Sequence, residues 1–175
     1  MILKDVLQKT AELLGVTATF GETLTDDEKL LVKCGDSVIA ELVEECIDVK
    51  TSEKLYAFDK EILYSSFSKK VKSIISAVYD GKKVPFTEYA DRITLPLSGE
   101  YEIKYNFTLG DLALTSELCL PPKYTANVLA AGVAGEFCRR KGLYTESDAY
   151  SARYAGAIKN LSYSARKVTL RSREF

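Results

Sequence analysis

The chain has no histidine, no tryptophan and a single methionine among its 175 residues. Without histidine it lacks the commonest general base near neutral pH and the commonest metal ligand. Charge of one sign is also missing in excess: 24 lysines plus arginines stand against 25 aspartates plus glutamates, so net charge points to neither a nucleic-acid nor a membrane partner. No apolar run approaches the roughly 20 residues of a membrane span. The opening residues MILKDVLQKTAELLGV contain Asp5 and Glu12 and no small-residue cleavage site, and no signal peptide is expected. There is no G-x-G-x-x-G, P-loop, G-x-S-x-G or H-E-x-x-H pattern. The four cysteines, Cys34, Cys46, Cys119 and Cys138, form no C-x-x-C pair. Cys34, Cys46 and Cys138 fall on helix-like apolar faces and read as buried thiols in a reducing compartment. The acidic pairs Asp26–Asp27 and Glu44–Glu45 sit at helical positions, where solvation explains them better than catalysis. These absences lead to an expectation of no catalytic, cofactor or metal site, and of a protein that is not an enzyme.

What is present is periodicity of two kinds. From Ile2 to Leu14 the apolar residues Leu3, Val6, Leu7, Leu13 and Leu14 repeat at helical spacing, and Gly15 is placed to end that helix. Thr25 with Glu28 has the form of a capping box. Behind it Leu30, Leu31, Cys34, Val38, Ile39, Leu42, Val43 and Cys46 keep helical register to about Asp48, with Gly35 marking a kink, a split or a close helix contact. From about Val49 to Leu118 strand signals take over. KLYAF at Lys54–Phe58 is a short strand. VKSIISAVYDGKKVPF turns at Asp80-Gly81, a dipeptide suited to a tight hairpin. RITLPLSGEYEIKYNF suggests a second strand pair around Ser98-Gly99. In its latter half Tyr101, Ile103, Tyr105 and Phe107 share one face, and Glu100, Glu102, Lys104 and Asn106 the other, implying one buried and one wet side.

From Leu120 the helical period returns. Pro121 and Pro122 lead a helix over about Lys123–Lys141, closed by Gly142, with Arg139, Arg140 and Lys141 where the helix dipole favours positive charge. Thr145 is expected to cap a last helix bearing Tyr150, Tyr154, Ile158, Leu161 and Ala165. Ala126, Ala130, Ala131, Gly132, Ala134 and Gly135 in the first of these helices would let another helix approach closely, either within the chain or from a second subunit. Tyr150 and Tyr154 suit a core edge or a subunit contact. Tyr163 is followed four residues later by Lys167, but no phosphate-binding loop accompanies them. The end of the chain alternates charged and apolar residues: Arg166, Lys167, Val168, Leu170, Arg171, Arg173 and Phe175. That pattern suits a peptide docking on another chain, with a solvated end and a weaker phosphate contact as alternatives. The expected architecture is α+β, a bundle of N- and C-terminal helices (1–48 and 119–165) carrying an inserted β-rich lobe (49–118), with a docking tail over 166–175.

The stretch LPPKY, VLAAGVAGEFCRRKG and ESDAYSARYAGAIKNL resembles the C-terminal helical pair of head-to-tail adaptor (connector) proteins of tailed bacteriophages. Glu136-Phe137, Lys141-Gly142 and Tyr150-x-x-x-Tyr154 occupy the matching places. The resemblance implies a virion protein of the phage neck, forming a ring of about twelve copies beneath the capsid portal. Lateral contacts through Tyr150, Tyr154, Ala131 and Gly135 would close the ring, and the tail from Arg166 to Phe175 would engage the portal. The next tail component would bind the far face, DNA would pass through the middle without sequence recognition, and no membrane would be involved. Two other readings stand beside it: a cytosolic module binding a protein partner through the β lobe, and an enzyme built on tyrosine, lysine and a carboxylate.

Overall fold

The computed structural model describes residues 1–163, and the helices and strands form two compact units. One comprises Met1–Val38 and the chain from Ala113 onward; the other is Ile39–Leu112.

The helical unit begins with α1, Leu3–Leu14, which buries Leu3, Val6, Leu7 and Ala11. Its amino end is tied by the Ile2 N–H donating to Asp5 Oδ2 at 2.9 Å, and Gly15 closes it at φ 67°. That left-handed turn costs an ordinary residue roughly 1–2 kcal/mol and glycine almost nothing. Phe20 also has a positive φ, 47°, without glycine's freedom. Its ring is buried, and burying a phenylalanine is worth about 1.5–3 kcal/mol, so burial offsets the strain. α2, Asp26–Glu41, runs unbroken through Gly35. A Cβ at Gly35 would lie 2.9 Å from Leu7 Cδ2 and 3.2 Å from Leu3 Cδ1, so this glycine marks a close helix approach. Sequence reading gave no role to the stretch that pairs with the N-terminus: Leu3 N–H donates to Ser116 O, Lys4 N–H to Leu114 O and Leu118 N–H to Met1 O. Those bonds attach residues 113–118 to the helices, whereas the expected β lobe extended to 118.

The other unit takes up the chain at Ile39. Helical winding continues as a wide turn over Leu42–Cys46, with Ile47 N–H donating to Leu42 O. The added residue per turn rotates the face, and Cys46 is exposed instead of buried as the sequence suggested. Strands follow: β1 Lys50–Ala57, β2 Glu61–Leu63, β3 Val71–Tyr79, β4 Lys82–Val84, β5 Thr87–Glu88, β6 Arg92–Thr94 and β7 Gly99–Phe107. They form one antiparallel sheet in the order β1-β7-β3-β4 and another in the order β2-β6-β5. The Asp80-Gly81 hairpin forms as expected, with Tyr79 opposite Lys82 and φ values of 46° and 72°. The hairpin expected around Ser98-Gly99 does not form, because β6 and β7 belong to different sheets. Leu95 N–H donates to Lys60 O and Lys60 N–H to Ser98 Oγ, which holds the connecting residues against the β1–β2 turn. Gly99 already faces Ala57 of β1, and a Cβ there would meet the Tyr79 ring at 2.8 Å. Tyr101, Ile103, Tyr105 and Phe107 are all buried, as their alternation predicts. Asn106, expected on the wet face, is buried as well.

Candidate functional site

The residues singled out by the sequence converge on two helices, α3 (Ala126–Arg140) and α4 (Tyr144–Tyr163). Pro121 and Pro122 do not enter α3. They precede it, with Tyr124 N–H donating to Pro121 O, and the helix is opened by the Thr125 carbonyl accepting from Val128 and Leu129. Its far end is a Schellman turn: Leu143 N–H reaches Cys138 O, Gly142 N–H reaches Arg139 O, and Gly142 has φ 78°. α4 begins two residues sooner than expected relative to its cap. Ser147 N–H donates to Leu143 O, so Thr145 lies inside the first turn and is not the cap.

α3 is buried from Leu129 through Gly135, and again at Phe137 and Cys138. The glycines set how near α4 can come. A Cβ on Gly135 would stand 2.7 Å from Ser151 Oγ and 3.3 Å from the Ser151 amide nitrogen. A Cβ on Gly132 would stand 3.0 Å from both the Tyr154 ring and Val38 Cγ1. The Ser147 hydroxyl donates to Gly135 O at 2.9 Å, using the close approach to satisfy a buried hydroxyl. Tyr150 donates its hydroxyl proton to Leu13 O at 3.2 Å, tying α4 to the end of α1. Lys123 Nζ donates to Leu161 O, and Lys141 pairs with Asp27 at the start of α2. Glu136 accepts from Arg140 Nε at 2.8 Å and faces Arg139.

Of the four residues expected at a subunit contact, Ala131 and Gly135 are buried inside the protomer, while Tyr150 and Tyr154 are half-buried against α1 and α3. The surface that α4 leaves open is a different one: Thr145, Ala149, Ala152 and Gly156 are exposed, and nothing lies within 4 Å of a Cβ built on Gly156. A helical wheel drawn inward from the tyrosines would have identified that outer stripe by subtraction. The tail residues Arg166, Lys167, Val168, Leu170, Arg171, Arg173 and Phe175 lie outside the described residues.

Two thiols lie in these helices' core. Burial pushes the Cys34 thiol up to about 11, outweighing the opposing effect of Arg140, and burial also raises Cys138. Both therefore remain protonated and poorly nucleophilic at neutral pH. Among the described residues no group of three or more histidines, cysteines, aspartates or glutamates is placed to hold a metal ion. No helix among them is long and apolar enough to cross a membrane. A scan against protein-family models finds no match for this chain. A search of curated proteins likewise finds no significant match.

Proposed function

We propose that the chain is a head-to-tail adaptor of a tailed bacteriophage, assembling as a ring between the capsid portal and the tail. The observation that carries this reading is the α3–α4 pair. The segment that resembles adaptors forms a tightly apposed helical hairpin, with Gly132 and Gly135 accepting Tyr154 and Ser151, and it is anchored to α1 through Tyr150. A pair fixed in this way turns outward the stripe Thr145, Ala149, Ala152 and Gly156, flanked by the exposed Glu146, Asp148, Arg153 and Lys159. In a ring this is the face available to a neighbouring copy. Small side chains permit a close lateral helix contact, and closure around an axis sums many such weak contacts. The tail from Arg166 to Phe175 would reach the portal, and DNA would pass through the ring without base-specific contact.

The test is to mix the purified chain with portal and examine the particles by negative-stain electron microscopy. Rings of added density beneath the portal are expected, and a Gly156→Leu variant of unchanged fold should fail to close them. Portal that remains bare at saturating protein defeats the reading.

One observation favours a second reading, a protein-binding module. Tyr56 and Phe58 are 54% and 73% exposed at the end of β1, with ring centroids 4.7 Å apart. They lead into a turn in which Asp59 and Lys60 both have positive φ. Exposed aromatic rings on a held turn make suitable interface anchors. This reading predicts a monomer at every concentration, and loss of partner binding on Phe58→Ala.

A further inference from the structure

Asn106 breaks the alternation of β7. It is 7% exposed, and its Nδ2 donates to Ser73 Oγ at 2.9 Å. Its Oδ1 is buried with no partner among the described residues, and the same is true of Thr108 Oγ1. Thr108 lies two residues on, so strand alternation returns its side chain to the same side, and its N–H donates to Lys70 O. The neighbouring strand slips here. Val71 faces Phe107 and Ser73 faces Asn106, which leaves Lys72 as the extra residue of a bulge at this point of the β3–β7 pairing.

We propose that this place holds a single internal water molecule bridging Asn106 and Thr108. The Asn106 carbonyl oxygen needs a donor, the Thr108 hydroxyl can both give and accept a proton, and the nearby ammonium groups are committed elsewhere. Lys72 Nζ donates to Val43 O and Ile47 O and pairs with Asp48, and Lys69 Nζ sits 4.0 Å from the centre of the Phe107 ring. These charges, with Lys50 opposite Asn106 on β1, repel a metal cation. An anion would meet the Asn106 carbonyl oxygen. If the Asn106 amide is turned over, Ser73 becomes the donor and the amide nitrogen is the atom left over. Only a molecule that both donates and accepts fits either arrangement. Water in such a site joins groups the chain cannot join itself and becomes part of the structure. Here it would fix the bulge, and with it the register of β3 on β7.

The test is water-to-amide cross-relaxation in isotope-labelled full-length protein, together with a crystal structure. The expected result is a water held longer than the tumbling time, seen from the amides of Asn106 and Thr108, and an ordered water within hydrogen-bonding distance of both side chains. Thr108→Val, close to isosteric, should remove the long-lived signal, and Asn106→Leu should do the same. Fast exchange in the wild-type protein overturns the proposal, as does a protein donor found in that place. An unchanged signal in a folded Thr108→Val variant does so too. The wild-type measurement decides the matter even if a variant fails to fold.

Discussion

The Glu28 carboxylate accepts from the N–H groups of Thr19, Phe20 and Thr25, each at 2.8 Å, and from the Thr25 hydroxyl at 3.1 Å. The Glu28 N–H returns a bond to Thr25 Oγ1. Thr25, Phe20 and Thr19 together lower the carboxyl from an ordinary 4.5 to about 2. A carboxyl depressed on folding adds stability that is fully present above pH 4.5 and is lost as pH falls from 4.5 towards 2. Glu28→Gln should lower the melting temperature at neutral pH and flatten its decline across that window, as followed by circular dichroism. An unchanged acid profile would show that the loop is held by something else. A second residue tests the β unit. Gly81 has φ 72° with open space around it, so Gly81→Ala should cost roughly 1 kcal/mol through backbone conformation alone, measured by denaturant unfolding. The sequence announced both sites, as T-x-x-E and as Asp-Gly. It could not announce Thr19 and Phe20 as partners of Glu28, because bonds across eight and nine residues depend on how the loop folds back.

Among the helices, two glycines should respond oppositely to the same change. Gly156 has no neighbour, so Gly156→Ala should stabilise the isolated protein by up to about 1 kcal/mol through helix propensity. Gly135→Ala gains the same propensity but pushes a methyl group against Ser151, including its backbone nitrogen at 3.3 Å. Overpacking typically costs about 1–3 kcal/mol, so the net effect should be destabilising. Thermal unfolding of the pair decides this, and equal shifts in one direction would refute the packing described for α3 and α4. The helices themselves were legible from their apolar spacing and terminal glycines. The inward face of α4 was legible from Tyr150, Tyr154, Ile158 and Leu161 at spacings of three and four, whereas its small residues alone do not mark a face, since Ala157 is half-buried while Ala149, Ala152 and Gly156 are exposed. The strands were legible where alternation ran long, as in β7. Their partners were not: Pro96 and the contacts of Leu95 and Lys60 carry the chain from one sheet to the other, and a local turn signal at Ser98-Gly99 cannot reveal contacts some forty residues away.

For the whole molecule, the α+β class and the plan of end helices around a β insertion could be read from the order of periodicities. The limits of the insertion could not, because they depend on the pairing of Met1–Lys4 with residues 114–118. The β unit is continuous in sequence from Ile39 to Leu112 and has its own core of Tyr101, Ile103, Tyr105, Phe67 and Ile93. A fragment spanning 39–112 should therefore fold alone and show dispersed amide signals by NMR, whereas a chain ending at Gly142 should lose the helical unit and keep the β unit. In the adaptor reading, deleting Arg166–Phe175 should abolish co-purification with portal and leave the melting curve unchanged. Retained binding would remove the tail from the interface.

The bonds from the first four residues to Leu114, Ser116 and Leu118 also bear on how the protein is made. The leading helix emerges from the ribosome long before its pairing segment and before α3, which covers its apolar face. Translation must release the whole insertion first, and that insertion can reach its final form while the leading helices are still waiting. Leu3, Val6 and Leu7 thus wait for α3 through most of synthesis, with α2 alone beside Leu3 and Leu7, and a nascent chain stalled before residue 113 should be the species that chaperones bind.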